Sequence, residues 1–304
     1  MMTTYQYEVA GHTFSIKYDE ALAPGLVSQF GAYRPFETKK DKVLFNLNIE
    51  VEKDITSPAS FSEEARQEEE GQTIISGKME DGRMVFIFRW AEEMAVVVST
   101  ADYREATLSF SQAMLHRQSG NIRAAIDTSL MLLYAFATAS RSTLLFHSST
   151  VVWKDKAYMF LGKSGTGKST HTQLWLKYIE GTHLLNDDNP VVRIAKDGTP
   201  MVCGSPWSGK TPCYKNEVYP IGGIVKLSQH PENHIKALSV LEAYAIIKSS
   251  VSSKRWEQAI ADGLHNTTEA IIKRCKVYHL DCLPDEAAAK LCWATIAGVK
   301  PRQS

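Results

Sequence analysis

The sequence predicts an α/β (α+β) protein, with a mixed-sheet core preceded by a smaller, antiparallel β-rich N-terminal domain. Three observations predict this fold class. Apolar and polar residues alternate through much of residues 1–100, as in half-buried strands. An apolar run at 157–161 then leads through a glycine-rich loop into a helical pattern, and helical periodicity prevails after Leu238. We expect two domains, residues 1–115 and 116–304.

The N-terminal domain is predicted to be a meander of strands. Residues 45–51 alternate strictly between apolar and polar side chains. Asp81-Gly82 separates two apolar runs, which is a strong signal for a β-hairpin. The acidic segment 57–71 lacks this alternation, and we expect a solvated loop or a short surface helix there. The domain carries no chemical motif of its own.

The second domain begins with apolar residues from Ile122 to Phe136 at helical spacing, which predict a helix buried between the domains. Runs 144–152 and 157–161 flank Lys154-Asp155 and predict a hairpin, so the strand before the glycine-rich loop has an antiparallel partner. That pairing favours a mixed sheet. Further strands are expected at 191–195, 200–203, 221–227 and 277–280, and helices at 239–250, 255–260, 266–274 and 284–297.

Composition and charge give no support for a nucleic-acid-binding, membrane-spanning, disulfide-rich or zinc-binding protein. The 304 residues include 34 Lys+Arg and 34 Asp+Glu, so a formal net charge of zero gives no support for a nucleic-acid or anionic-membrane partner. The longest apolar run, Leu130 to Ala137, is shorter than the ~20 residues of a membrane span. Five cysteines without a C-x-x-C pair read as reduced thiols rather than a disulfide framework or zinc site. With no signal segment at the start, we expect a cytoplasmic protein.

The glycine-rich loop matches the phosphate-binding pattern G-x-x-x-x-G-K-[ST]. Its glycines let backbone N–H groups turn toward phosphate, and the following helix N-terminus adds partial positive charge. The lysine would reach the β- and γ-phosphates, and the serine hydroxyl would hold Mg²⁺. The alternative is a fortuitous glycine-rich turn. The predicted nucleotide-binding residues are Gly162, Lys163, Ser164, Gly165, Thr166, Gly167, Lys168, Ser169 and Thr170.

Two adjacent carboxylates, Asp187 and Asp188, end a short apolar run after the loop. One carboxylate suffices to hold Mg²⁺, so the second suggests a general base that takes the proton from an attacking hydroxyl. Neighbours on an extended chain point to opposite faces, so the two side chains are expected to differ in role. The alternative is an ordinary polar turn.

Together these segments resemble the catalytic domain of HPr kinase/phosphorylase, a bacterial enzyme that shares its nucleotide-binding core with phosphoenolpyruvate carboxykinase. Segments 145–152 and 204–210 extend the similarity, which covers roughly residues 120–300. The chain has Thr170 and His171 where the kinase has Glu after its Lys-Ser, and residues 1–115 do not resemble the kinase's N-terminal domain. The resemblance therefore implies the fold and nucleotide binding, but it does not identify the substrate.

The resemblance implies a role for each candidate residue. His147 matches the family's catalytic histidine and would assist Asp187, our expected base, while Ser169 and Asp188 would bind Mg²⁺. The alternative for His147 is a core histidine, since it lies in an apolar strand. Trp207 and Lys210 either belong to a mobile lid or substrate loop, or are respectively a core anchor and a solvated charge. His171 is expected at the surface.

The expected function is an ATP- and Mg²⁺-dependent phosphotransferase acting on a hydroxyl of a protein or peptide. A non-catalytic nucleotide-binding switch or adaptor and a carboxykinase-like metabolic enzyme are the alternatives. The N-terminal domain would select the acceptor or form a homo-oligomer.

Overall fold

The computed structural model describes residues 2–69, 71–117, 120–209 and 211–299. The chain divides into two compact units, Met1–Ala137 and Thr138–Ser304. Each unit is built on its own mixed β-sheet, and together with the helices this makes a mixed α/β protein.

The first unit contains an eight-stranded sheet with strand order β1-β2-β3-β8-β7-β6-β5-β4. The strands are β1 Met2–Val9, β2 His12–Asp19, β3 Phe45–Glu52, β4 Ser62–Glu69, β5 Gln72–Lys78, β6 Met84–Trp90, β7 Glu93–Ser99 and β8 Glu105–Ser111. The prediction of a purely antiparallel sheet is wrong, because β3 lies parallel to both β2 and β8. A parallel pair needs a long crossover, and residues 20–44, with a 3-10 helix at Leu26–Phe36, provide one between β2 and β3.

Residues 62–69 of the acidic segment form a strand, contrary to the predicted loop or helix, whereas residues 57–61 are a loop. Strand β4 pairs antiparallel with β5 and forms one edge of the sheet. The side chains of Glu63, Glu64, Arg66 and Glu68 are exposed. Charges on an edge strand discourage pairing with another chain, so the composition reflects the edge position rather than the absence of a strand.

The long helix belongs mostly to the first unit, whereas the predicted boundary at 115/116 placed it wholly in the second domain. Helix α2, Gly120–Ala139, follows the short α1, Gln112–His116. Tyr134 donates its hydroxyl hydrogen to Val9 O over 2.9 Å, and the Phe136 ring packs 5.1 Å from that of Tyr103. Helix α2 is long and apolar enough to cross a membrane by length and composition, but 61% of its apolar window is buried, as in many core helices.

The second unit contains a nine-stranded sheet with the path β12-β10-β11-β15-β14-β13-β9; β17 pairs with β15, and β16 with β17. Its strands are β9 Thr143–Leu145, β10 Ser148–Trp153, β11 Lys156–Leu161, β12 His183–Asn186, β13 Val191–Ile194, β14 Pro200–Cys203, β15 Val218–Gln229, β16 His234–Ala237 and β17 Val277–Cys282. Its helices are α3 Lys168–Tyr178, α4 Val240–Ser249, α5 Gln258–Arg274 and α6 Glu286–Ile296.

The predicted hairpin before the glycine-rich loop is confirmed. Strands β10 and β11 pair antiparallel, with Trp153 opposite Lys156. The two turn residues, Lys154 and Asp155, have φ of 46° and 57°, the positive values that a two-residue hairpin turn requires. Strand β11 also lies parallel to β15, so the loop strand has one antiparallel and one parallel neighbour.

Both faces of this sheet are covered by helices. Along β11, Met159 and Leu161 pack into the cluster that includes residues of α4 and α5. Tyr158 and Phe160 point the other way, into the cluster that includes Trp175 of α3 and residues of α6. Strand β10 is antiparallel to both β11 and β12, and β15 and β17 run parallel to β11. The carboxyl ends of β12, β11, β15 and β17 therefore lie along one edge of the sheet, where a ligand site is expected.

Helix α5 is continuous from Gln258 to Arg274, although the sequence predicted two helices, 255–260 and 266–274, with a break between them. At Gly263 a Cβ would collide with Ala139 O, so the absence of a side chain permits close packing there. The glycine is needed for this close approach and does not end the helix.

Candidate active site

The predicted phosphate-binding loop connects β11 to α3, at the edge where the carboxyl ends meet. Gly167, the residue before the helix, has φ of 96°, a left-handed conformation that favours glycine. A Cβ on Gly162 would collide with Thr166 Oγ1, which donates a hydrogen bond to Lys163 O over 2.8 Å. Gln229, at the end of β15, donates from Nε2 to Gly165 O over 3.1 Å and so ties the loop to the neighbouring strand.

Lys168 is the first residue of α3 and is buried, with 8% of its surface exposed. Its Nζ atom lies 3.0 Å from Gly162 O, 3.4 Å from Lys163 O and 2.8 Å from His147 Nε2. Burial lowers the pKa of Lys168, and the charges of Asp188 and Asp187 oppose that shift. The loop thus holds a cation that interacts electrostatically with both aspartates.

His147 lies between the lysine and the acidic pair. Its Nδ1 atom is 3.1 Å from Asp188 Oδ1, while Nε2 faces Lys168. An ammonium group donates and cannot accept, so beside a charged lysine Nε2 is the acceptor, and the proton on Nδ1 points to Asp188. The backbone fixes this arrangement, because Ser148 N donates to Asp188 O over 2.7 Å.

Asp187 occupies a different environment from its neighbour. It is 4% exposed, and its Oδ1 accepts from Ser149 Oγ over 2.8 Å while Oδ2 accepts from Thr211 N over 3.1 Å. Because Ser149 donates to this carboxylate, its hydroxyl oxygen is left to accept from Thr172 of α3 over 2.7 Å. The two aspartates thus differ in environment, Asp187 inward beside Ser149 and Asp188 toward His147. The predicted reason is wrong, because β12 ends at Asn186 and both aspartates lie in a bend rather than on an extended chain.

Asn186 organises the acidic turn, a role that the sequence analysis did not assign to it. It is fully buried, and its Oδ1 accepts from the backbone N–H groups of Asp188 at 2.9 Å and Asn189 at 2.8 Å. Its Nδ2 donates to Ser205 Oγ over 3.1 Å. An Asn side chain that accepts from the backbone two residues ahead commonly forms a turn. The run Asn-Asp-Asp-Asn is therefore the sequence feature that could have indicated this role.

Residues 207–209 and Thr211 contact the acidic turn directly. A Cβ on Gly209 would approach Asp188 Cβ to 3.1 Å, and Ser208 Oγ accepts from Asp187 N over 3.4 Å. Trp207 is 3% exposed and its carbonyl accepts from Asn189 N over 3.2 Å, as the anchor alternative requires. Lys210 lies outside the described residues, so its predicted role as a lid or substrate lysine stays a prediction.

The expectation that His171 lies at the surface is wrong. Its ring is 3% exposed and packs 4.8 Å from the Phe160 ring, and Trp175 Nε1 donates to its Nε2 over 3.1 Å. Burial lowers the pKa of His171 to about 4. The residue is therefore part of the core between β11 and α3 rather than a contact for nucleotide.

Among the described residues, no group of three or more His, Cys, Asp or Glu side chains is arranged to hold a metal ion. Magnesium in nucleotide sites needs fewer protein ligands, because phosphate oxygens and waters complete its octahedron. Ser169 lies one helical turn before Thr172, whose hydroxyl contacts Ser149 and through it Asp187. A hydroxyl and a carboxylate on this side of α3 are hard oxygen donors and fit Mg²⁺ bound together with nucleotide.

A scan against protein-family models and a search of curated proteins both find no match to this chain. Function is therefore inferred from the residues of the site and their geometry.

Proposed function

We propose that this protein is an ATP- and Mg²⁺-dependent phosphotransferase, similar to HPr kinase, that phosphorylates a hydroxyl group of a protein or peptide. One observation carries the proposal. Lys168, His147 and Asp188 form a continuous chain of contacts of 2.8 and 3.1 Å beside the phosphate-binding loop. A cation suited to phosphate and a carboxylate suited to a hydroxyl proton are thus separated by a single imidazole ring.

Lys168 and the loop would bind the phosphates. The N–H groups at the start of α3 and the helix dipole favour negative charge there. The ammonium group has three hydrogens and three acceptors within 3.4 Å, so a phosphate oxygen that accepts from Nζ replaces one of these acceptors. Phosphate binding and the position of His147 are coupled for this reason.

Exposure favours Asp188 as the base, the reverse of the sequence-based assignment to Asp187. Both carboxylates accept hydrogen bonds from the protein, Asp187 from Ser149 Oγ and Thr211 N, and Asp188 from His147 Nδ1 and Asn189 Nδ2. Asp187 is 4% exposed, whereas the side chain of Asp188 is 31% exposed and can be reached by a substrate hydroxyl. In this assignment Asp188 takes the hydroxyl proton while the hydroxyl oxygen attacks the γ-phosphorus, and ADP leaves with the electrons of the broken P–O bond. His147 holds the carboxylate in position through its Nδ1 proton.

Ser169 and Asp187 are the residues that would hold Mg²⁺, since Asp187 is linked through Ser149 to Thr172, one turn after Ser169 on α3. The ion, when bound, neutralises charge that develops on the β- and γ-phosphate oxygens. The protein's own contribution is positioning and electrostatic stabilisation, which is most of what phosphoryl transfer requires.

The proposal is tested by incubating the protein with Mg²⁺, γ-labelled ATP and a lysate of its source. A matched Asp188→Asn protein serves as control. We expect a labelled protein or peptide whose label resists mild acid, as phosphate esters of hydroxyl groups do, and which the control does not label. If the wild-type protein binds MgATP but labels nothing beyond the control, the site is a nucleotide-binding module and not a kinase.

A further inference from the structure

A group of polar side chains lies on one face of β15, β17 and β16. Strand register places Lys226, His279 and Lys236 in one row across the three strands, and Ser228, Asp281 and His234 in the next. Residues paired across strands point to the same face, so these six side chains form a single surface, here called the β15–β17 polar cluster.

Three members of the cluster are in contact. The Ser228 hydroxyl lies 2.8 Å from His279 Nε2, and the same nitrogen lies 3.4 Å from Asp281 Oδ1. The side chains of His279 and Asp281 are 22% and 31% exposed, so they are partly sheltered and still accessible to a ligand. Because both contacts use one ring nitrogen, His279 cannot relay a proton from serine to aspartate, and the arrangement suits binding rather than nucleophilic catalysis.

The cluster borders the phosphate-binding loop. Lys226 pairs with Leu161, the last residue of β11, so Ser228 lies beside the first residues of the loop. The next residue, Gln229, donates to Gly165 O over 3.1 Å. The end of β15 therefore forms a wall of the loop, and Asp281 lies one strand further out.

The strand order gives the cluster a direction relative to the transferred phosphate. His147 directly precedes β10 and Asp188 follows β12, and both strands lie on one side of β11, whereas β15 and β17 lie on the other. In the proposed function, the terminal phosphate of ATP points toward Asp188. A triphosphate that lies along the loop in this direction carries its nucleoside toward β15 and β17.

We propose that Ser228, His279 and Asp281 bind the ribose of the nucleotide. A carboxylate at a strand end accepts hydrogen bonds from ribose hydroxyls in many nucleotide sites, and the neighbouring serine and imidazole supply further polar groups. The phosphoryl acceptor does not use this surface, because its hydroxyl must reach Asp188 on the opposite side of β11. This inference rests on the proposed function and specifies which side of the loop the nucleoside occupies.

The test compares three ligands in the presence of Mg²⁺: ATP, 2′-deoxy-ATP and inorganic tripolyphosphate. Affinities are measured by calorimetry for the wild type, Asp281→Asn, Ser228→Ala and the matched control Glu269→Gln, a carboxylate on α5 whose side chain is 45% exposed. We expect Asp281→Asn to weaken ATP binding by roughly tenfold or more, as for a lost hydrogen bond to a charged group. Tripolyphosphate binding should stay within about twofold, and any preference of the wild type for ATP over 2′-deoxy-ATP should shrink in the variant.

The outcomes separate the two proposals. If Asp281→Asn and Ser228→Ala both bind ATP like the wild type, the ribose site is wrong while nucleotide binding stands. Equal losses for ATP and tripolyphosphate in a variant that melts like the wild type would also overturn it, since the effect would then lie in the phosphate cradle. If the wild type binds neither ATP nor tripolyphosphate, both the ribose site and the proposed function fail.

Discussion

The imidazole of His147 joins Asp188 to the loop lysine. Its Nδ1 lies 3.1 Å from Asp188 Oδ1, and its Nε2 lies 2.8 Å from Lys168 Nζ. The carboxylate is therefore held by a ring whose own position depends on the phosphate-binding lysine. This relationship distinguishes Asp188 from its neighbour Asp187 and gives each of them a separate experimental signature.

Replacing Asp188 with Asn should reduce phosphoryl transfer while sparing nucleotide binding. The amide cannot take the hydroxyl proton, and loss of a general base typically costs 10²–10⁴-fold in rate. Single-turnover transfer of the γ-phosphoryl group measures the rate, and calorimetry with MgATP measures binding. Asp187→Asn serves as the comparison, because we expect it to weaken MgATP binding. If Asp188→Asn transfers phosphate at the wild-type rate, Asp188 is not the general base.

Replacing Lys168 with Ala should weaken MgATP binding strongly. The change removes a buried cation, and charge-assisted hydrogen bonds contribute about 1.5–3 kcal/mol each, which corresponds to roughly 10–150-fold in affinity. Lys177→Ala is the matched control, because that lysine is exposed near the far end of the same helix. Calorimetric titration with MgATP checks the prediction, and equal affinities for Lys168→Ala and the wild type would show that the loop does not bind phosphate.

Asp187→Asn should also destabilise the folded protein without any ligand. Asp187 accepts from Ser149 Oγ and Thr211 N in a buried position, and an amide nitrogen placed against either donor leaves a polar group unsatisfied. The expected loss is about 1–3 kcal/mol in the free energy of unfolding, measured by urea denaturation. Asp188→Asn provides the control, since its side chain is half-buried and should lose less. Equal stability of the two variants would contradict the structural role given to Asp187.

The fold was partly predictable, because local patterns set most elements. The Lys154-Asp155 hairpin and the strand, loop and helix around Gly162–Lys168 were foreseen from turn chemistry and periodicity. The parallel pairing of β3 with β2 and β8 was not, since it depends on long crossovers that leave no local signature.

The sequence predicted which residues form the site, but not which of them contact one another. The proximity of the acidic pair to Lys168 follows from the shared edge of the sheet. Which aspartate faces His147 depends on distant contacts: Asn186 fixes the turn, and Thr211 N holds Asp187 inward. The burial of His171 depends on packing against Phe160 and Trp175, which its position in the motif does not reveal.

Stability should fall at acid pH partly through His171. Burial lowers its pKa from 6.5 to about 4, so the unfolded chain binds the proton more readily. Above pH 6.5 the neutral His171 costs the folded state nothing. As the pH falls from 6.5 toward about 4, protonation of His171 in the unfolded chain lowers the free energy of unfolding by about 3 kcal/mol. Urea denaturation at pH 7 and pH 4.5 should show a smaller pH-dependent loss in His171→Leu than in the wild type. Identical losses in both proteins would show that His171 does not titrate in this way.

The last prediction concerns where the chain can be divided. The helix α2 packs Tyr134 and Phe136 against Val9 and Tyr103 of the first unit, and the compact second unit begins at Thr138. We expect a fragment of residues 138–304 to fold and to retain MgATP binding, because it contains the loop, His147 and both aspartates. A fragment of residues 116–304 should aggregate, because it exposes the apolar surface of α2. Circular dichroism, light scattering and MgATP calorimetry compare the two. If the longer fragment is the well-behaved one, α2 is part of the nucleotide-binding unit, as the sequence alone had indicated.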